Sequence, residues 1–178
     1  MKKPTSGFTI VELLIVIVVI GILAAITIVS FNGIQKRAAN TARETELRSW
    51  QKTFEVYRAA NNGNYPGPTT GEECLGENFP VGEGGIRRCR SNRDVSYSYP
   101  QSGNAATMTQ VKTITSLPNS NRTPIGEFIG PFAIYSATNI TLVGIFAGPD
   151  IPATCPSGMA HIASGNPDIA ACSIVLTR

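Results

Sequence analysis

The sequence predicts an α+β fold in which a long N-terminal helix packs on a small antiparallel β-sheet head. An uncharged and mainly apolar run of 23 residues extends from Leu13 to Gln35. Short segments with strand-like patterning occur toward the C-terminus. Between them, large apolar residues recur at spacings of three and four, the period of one helix face, at Leu47, Trp50, Phe54 and Tyr57.

The run from Leu13 to Gln35 is long enough to cross a membrane, since as a helix it would extend about 35 Å against about 30 Å of hydrocarbon. Lys2 and Lys3 precede it and favour insertion with the N-terminus in the cytoplasm. A secretory signal peptide would have a shorter apolar core that ends in a cleavage site. A plain anchor would explain the length of the run but not Glu12, because a carboxylate in an apolar span is costly.

The second half of the predicted helix is amphipathic. Charged residues lie between the members of the apolar stripe and indicate a solvated opposite face. No proline interrupts the chain between Phe8 and Asn64, so we predict one helix that continues to about Asn61. Because neither a helix nor a sheet can bury its apolar face alone, we expect the stripe to pack against the head.

Beyond Tyr65 the pattern predicts a sheet of three to five antiparallel strands. The segments "PFAIYSA" and "NITLVGIFAG" are the best pair and predict a hairpin, and "CSIVLTR" predicts a last strand. Weaker candidates are "DVSYSYP", at residues 94–100, and "TQVKTITSL", at residues 109–117.

All four cysteines lie in the polar part of the chain and permit three disulfide connectivities. An even count after an export-type segment favours disulfides outside the reducing cytosol. Pairing Cys74 with Cys89 and Cys155 with Cys172 would staple two segments rich in glycine and proline, so we expect this connectivity. A metal site built from all four thiolates is disfavoured because no Cys-x-x-Cys spacing occurs.

The remaining sequence offers little for catalysis or ligand binding. The net charge of +3 is small for a nucleic-acid binder, and no phosphate loop, metal-ligand motif or nucleophile elbow occurs. The single histidine, His161, is interpreted as a surface or loop residue and not as a catalytic one. We therefore predict no enzymatic activity, cofactor or metal. One acidic stretch offers oxygen atoms to calcium, but it lacks the interleaved Asp and Asn ligands of a calcium loop, which disfavours such a site; it comprises Glu72, Glu73, Glu77 and Glu83.

The stretch "KKPTSGFTIVELLIVIVVIGILAA" resembles the N-terminal signature of type IV pilins and type II secretion pseudopilins. In that family a short basic leader ends in Gly, the next residue is usually Phe, and a Glu stands fifth in the mature chain. The resemblance implies cleavage between Gly7 and Phe8, N-methylation of Phe8, and pairing of Glu12 with the amine of a neighbouring subunit. The alternative is that Glu12 snorkels at the membrane edge. Many relatives have a proline where this chain has Val29, which leaves the curvature of the helix open.

The resemblance implies four regions. These are a leader (1–7), a transmembrane and filament-core helix (8–35), an amphipathic helix half that belongs to the head (36–64), and a globular β-rich head with two disulfide loops (65–178).

The implied function is that of a structural subunit of an extracellular filament for adhesion, motility or DNA uptake. Implied partners are further copies of the chain, a prepilin peptidase and methylase, and an assembly platform with its ATPase. The precursor would cross the cytoplasmic membrane once and reach the cell surface on assembly. Two alternatives are a type II secretion pseudopilin and a membrane-tethered extracellular enzyme or binding module.

Overall fold

The computed structural model describes residues 9–81, 85, 87–89, 104–119, 125 and 129–178, without the side chains of residues 28–32. The chain divides into two units, Met1–Ala38 and Ala39–Arg178. The described residues form two helices, α1 (Ile10–Ala60) and α2 (Ala105–Lys112), and five strands, β1 (Gly71–Cys74), β2 (Phe132–Tyr135), β3 (Asn139–Ala147), β4 (Ala160–Ile162) and β5 (Ile169–Thr177). A short 3-10 turn covers Pro152–Thr154.

Helix α1 is continuous over 51 residues and ends close to the predicted position. Its end is closed by two residues with left-handed backbone, Asn62 at φ 54° and Gly63 at φ 84°. The N–H of Gly63 donates to the carbonyl of Arg58 at 3.0 Å, which satisfies a carbonyl of the last turn.

The strands form one antiparallel sheet in the order β1-β2-β3-β5-β4. The predicted hairpin is confirmed, with Phe132 opposite Val143 and Tyr135 opposite Ile140. The predicted last strand is also confirmed, although it begins earlier, at Ile169. Neither β1, whose sequence is Gly-Glu-Glu-Cys, nor β4, three residues long within a cysteine-bounded loop, was predicted.

The C-terminal half of α1 packs on one face of this sheet. Leu47, Trp50 and Phe54 are fully buried in one cluster with residues from β2, β3 and β5. The approach is close, because a Cβ added at Gly144 of β3 would lie 3.2 Å from Cδ2 of Leu47. Tyr57 is only half-buried and lies outside the cluster.

The opposite face of the sheet carries a second apolar cluster, which includes Phe132, Val143 and Ile145. The disulfide between Cys74 and Cys89 lies within this cluster. A second disulfide joins Cys155 to Cys172, beside the buried ring of Phe146. All four cysteines are thus bonded, which leaves no thiolate for a metal. This connectivity staples the two segments that have little strand signal.

The prediction of a strand at residues 109–117 is wrong, because α2 covers the first part of that segment. Thr107, Met108 and Val111 are buried at helical spacing, so packing of these side chains favours the helix. The side chain of Asn104 is buried just before α2 and donates to the carbonyls of Cys74 and Gly76 at 2.8 and 2.7 Å. The candidate strand at residues 94–100 lies outside the described residues.

Candidate functional site

Glu12 lies in the first turn of α1 and bonds to Thr9, the residue before the helix. Oε2 of Glu12 accepts from the N–H of Thr9 at 2.8 Å and from its hydroxyl at 2.7 Å. In return, the N–H of Glu12 donates to Oγ1 of Thr9 at 3.2 Å. This reciprocal pair is a capping box, which satisfies two backbone donors that the start of a helix leaves without partners. Glu12 is therefore bound within its own chain before any neighbour is considered.

The segment after Glu12 is suited to an apolar environment. Within the described residues, one helix is long and apolar enough to cross a membrane, at Ile10–Thr27, with a mean hydropathy of 3.0. None of this window is buried within the protein, and Ile10 is 85% exposed. An apolar helix with no packed face requires lipid or other helices around it.

Helix α1 continues without a break through the residues that weaken its helix propensity. These include Gly21 and Gly33, which lie in open space, and Thr27, whose hydroxyl donates to the carbonyl of Ala24 at 2.9 Å. The backbone at Val29 is helical, but its side chain is outside the described residues. The predicted cleavage position, Gly7 and Phe8, also lies outside them.

The side chain of Asn40 joins the first covered turn of α1 to the sheet. Residues 33–38 are exposed, and Asn40 is half-buried. Its Nδ2 donates to the carbonyl of Ala147 at 2.8 Å, and its Oδ1 accepts from the N–H of Ala147 at 2.9 Å. The role of Asn40 was not predicted from the sequence, because its partner lies 107 residues away and no local pattern indicates the contact.

His161 has an acidic partner that the sequence analysis also missed. Nε2 of His161 lies 2.8 Å from Oδ1 of Asp150, and the other carboxylate oxygen accepts from the N–H of Ser164 at 2.9 Å. Burial opposes ionisation of Asp150, but the hydrogen bonds from His161, Ser164 and Gly165 outweigh it, so the pKa of Asp150 is lowered. The hydroxyl of Ser164 lies within hydrogen-bond distance of the carbonyls of Asn166 and Ile169, so the cluster holds a loop and does not resemble a catalytic triad.

The acidic residues considered as calcium ligands have different partners in the structure. Glu73 is buried and accepts a hydrogen bond from Thr107, whereas Glu77 pairs with Lys112 at 2.6 Å. Burial raises the pKa of Glu73, although Thr107 and Tyr135 oppose the change. Glu72 is exposed, and Glu83 lies outside the described residues. Among the described residues, no group of three or more histidine, cysteine or acidic side chains could hold a metal ion.

Residues 2–28 match the Prokaryotic N-terminal methylation motif. The chain is 45% identical over 60 residues to the Type IV wide pilus major component PilA4 of Thermus thermophilus, a match that covers 34% of this chain and 46% of that protein. It is 30% identical over 74 residues to the Type II secretion system core protein G of Aeromonas hydrophila, covering 42% of this chain and 51% of that protein. The N-terminal part of the chain is therefore similar to type IV pilins and to type II secretion pseudopilins.

A further relative, the Type II secretion system core protein G of Vibrio cholerae, is 31% identical to the chain over 75 residues, which is 42% of this chain and 50% of that protein. The chain spans about half the length of the curated relatives it matches. No solved structure shows a significant match to the chain. The long apolar helix followed by a small antiparallel sheet is the α+β arrangement expected for the family.

Proposed function

We propose that this protein is a structural subunit of an extracellular filament of the type IV pilus kind. In this proposal the chain is inserted as a precursor with its N-terminus in the cytoplasm, cut after Gly7, methylated at Phe8 and assembled through α1. Its partners are further copies of itself, a prepilin peptidase and methylase, and an assembly platform with an ATPase. The filament would serve adhesion, motility or DNA uptake, and the chain itself would have no enzymatic role.

The observation that carries the proposal is the combination of the methylation motif over residues 2–28 with an apolar helix that has no packed face. Because such a helix can be satisfied by lipid or by other helices, one segment can serve first as a membrane span and later as filament core. The head, by contrast, has its own core and two disulfides, as expected for a part that faces an oxidising exterior.

The second candidate function is that of a type II secretion pseudopilin. It is favoured by the identity with core protein G of Aeromonas hydrophila and Vibrio cholerae. Such a subunit would be processed in the same way but would form a filament that remains within the envelope. The two candidates therefore differ in where the filament is found.

Processing is tested by intact-mass and N-terminal analysis of the native protein. We expect a mature chain that begins at N-methyl-Phe8. The variant Gly7→Leu should leave uncleaved precursor in the membrane fraction, because the peptidase has to accommodate the backbone at that residue. A native chain that retains Met1, or one cut near Ala24 or Ala25, would refute the proposal.

The place of assembly is tested by shearing cells and comparing the sheared fraction with the membrane pool. Filaments in the sheared fraction support the pilin function. Filaments found only within the envelope, together with loss of protein secretion on deletion of the gene, support the pseudopilin function. A processed chain that forms no filament in either place would favour a membrane-tethered module.

A further inference from the structure

The two hydrogen bonds of Asn40 make its side chain a substitute for a missing strand. Strand β2 pairs with β3 only from Ile140 to Val143, so β2 does not reach Ala147. On the other side, the N–H of Gly148 donates to the carbonyl of Asp168 at 3.0 Å. In an antiparallel ladder this places the N–H and C=O of the preceding residue, Ala147, on the side that faces away from β5.

The backbone of Ala147 thus presents a donor and an acceptor that none of the described strands satisfies, and the amide of Asn40 binds both. An amide is the side chain that matches this pair, because it carries one acceptor and one donor group side by side. Leucine has a similar size but neither group, and aspartate keeps only the acceptor. The two hydrogen bonds to Ala147 therefore depend on the amide group of Asn40 and not only on the size of its side chain.

The two hydrogen bonds of Asn40 are directional, so they restrict the position of the helix turn more than the apolar core does. Leu47, Trp50 and Phe54 hold α1 to the sheet, but apolar contact is non-directional and tolerates small rotations and shifts of a helix. A slip by one residue along a strand moves the backbone by about 3.3 Å and reverses the direction of its polar groups, so both bonds of Asn40 would be lost. Asn40 therefore specifies one rotation and one height of its helix turn against the end of β3.

We propose that Asn40 is a positioning residue for filament assembly, which fixes the first covered turn of α1 to the end of β3. This inference rests on the proposed function, since it concerns subunits that assemble through α1. In a filament, every copy has to present the same surfaces, because the lattice repeats one set of contacts. Without the two bonds, the position of this helix turn on the sheet would vary between copies, and fewer subunits would fit the lattice.

The test uses the full chain in cells that lack the wild-type copy, with the variants Asn40→Leu and Asn40→Asp. In detergent micelles, the backbone amide of Ala147 should exchange its hydrogen about tenfold faster or more in Asn40→Leu, because its acceptor is removed. In Asn40→Asp the exchange should stay slow, since a carboxylate oxygen still accepts. Both variants should yield less sheared filament, by about fivefold or more for Asn40→Leu.

Two controls separate positioning from general stability. Asn64→Leu makes the same change at an exposed residue whose amide bonds only to the carbonyl of Asn61, and it should leave both readouts unchanged. Val143→Ala, a buried change on the other face of the sheet, should lower the unfolding midpoint more than Asn40→Leu and yet retain filaments.

Three results would overturn the inference: unchanged exchange at Ala147, normal filament yield in Asn40→Leu, or equal filament loss in Val143→Ala. If the wild-type chain forms filaments while one of these results is obtained, the proposed function stands and only the role of Asn40 fails. If the wild-type chain forms no filament anywhere, the proposed function fails first.

Discussion

The imidazole Nε2 of His161 lies 2.8 Å from Oδ1 of Asp150, and each of these side chains is 17% exposed. His161 is in the edge strand β4, opposite Cys172 of β5, and Cys172 is bonded to Cys155. The contact between His161 and Asp150 therefore joins the C-terminal disulfide loop to the chain that precedes it. Its strength depends on pH, because Asp150 can accept these hydrogen bonds fully only when it is ionised.

We first predict that Asp150→Asn destabilises the head relative to the wild type at pH 7. At low pH this difference in stability should become smaller. Since the pKa of Asp150 is lowered in the folded state, its contribution is present above the ordinary value of 3.8 and is lost as pH falls through the lowered value. Urea unfolding of residues 36–178 at several pH values measures this. Equal destabilisation at every pH would show that the charge of Asp150 makes no contribution.

Glu73 should give the opposite pH dependence. Burial raises its pKa above the ordinary value of 4.5, so ionisation costs more in the folded state than in the unfolded state. The stability of the head should therefore fall as the pH rises from 4.5 through the raised pKa of Glu73. Glu73→Gln should remove this loss and be more stable than the wild type at pH 7, because the amide oxygen can still accept from Thr107.

The exposed neighbour Glu72 provides the control for this prediction, since it faces the other side of β1. Glu72→Gln should leave the pH profile of unfolding unchanged. If Glu73→Gln proves less stable at pH 7 and has the same pH profile as the wild type, burial of the charge is not what limits stability at this position.

The two disulfides should differ in how much a serine replacement costs. Each closes a loop of similar length, with separations of 15 and 17 residues, so loss of either crosslink should cost about 3 kcal/mol through the unfolded chain. Cys74 and Cys89 are both fully buried, whereas Cys155 is partly exposed. Two serines at 74 and 89 would bury two hydroxyls and add about 1–3 kcal/mol for each one left without a partner.

The comparison uses double variants to serine and to alanine, with urea unfolding of residues 36–178. The alanine pairs should differ less from each other than the serine pairs do, because alanine buries no polar group. Peptide mapping without reduction checks the pairing itself, and crossed bridges would contradict the connectivity described here.

The fold could be predicted where local patterns are strong. The period of three to four around Leu47, Trp50 and Phe54 indicated the packed face of α1, and the apolar alternation of residues 132–147 indicated the hairpin. The segment at residues 109–117 was mispredicted because threonine favours strands intrinsically, while tertiary packing of Met108 and Val111 decides for a helix.

The candidate site could be predicted only in part, because several of its contacts depend on the folded structure and not on a local pattern. The spacing of Thr9 and Glu12 is the sequence signature of a capping box, and this signal was present but overlooked in favour of a contact between subunits. The contacts of Asn40 with Ala147 and of His161 with Asp150 join residues distant in sequence. No local pattern encodes such pairs, because they arise only when the sheet has formed.

Glu12 has two candidate roles in assembly, because the structure shows it bound to Thr9 within one chain. Capping needs a hydrogen-bond acceptor, whereas pairing with the cationic amine of a neighbouring Phe8 needs a negative charge. Glutamine can cap a helix as glutamate does but carries no charge. Glu12→Gln therefore separates the two roles, and Thr9→Val makes the complementary change by removing the capping hydroxyl while it leaves the carboxylate.

We expect Glu12→Gln to insert and to be cleaved after Gly7 but to yield little sheared filament, because an amine left unpaired in an apolar bundle costs about 3–5 kcal/mol. Thr9→Val should assemble at a yield close to that of the wild type. The measurement is sheared filament against membrane pool for each variant, in cells without the wild-type copy. If Glu12→Gln assembles normally and Thr9→Val does not, Glu12 acts as a helix cap, and charge pairing between subunits plays no part in assembly.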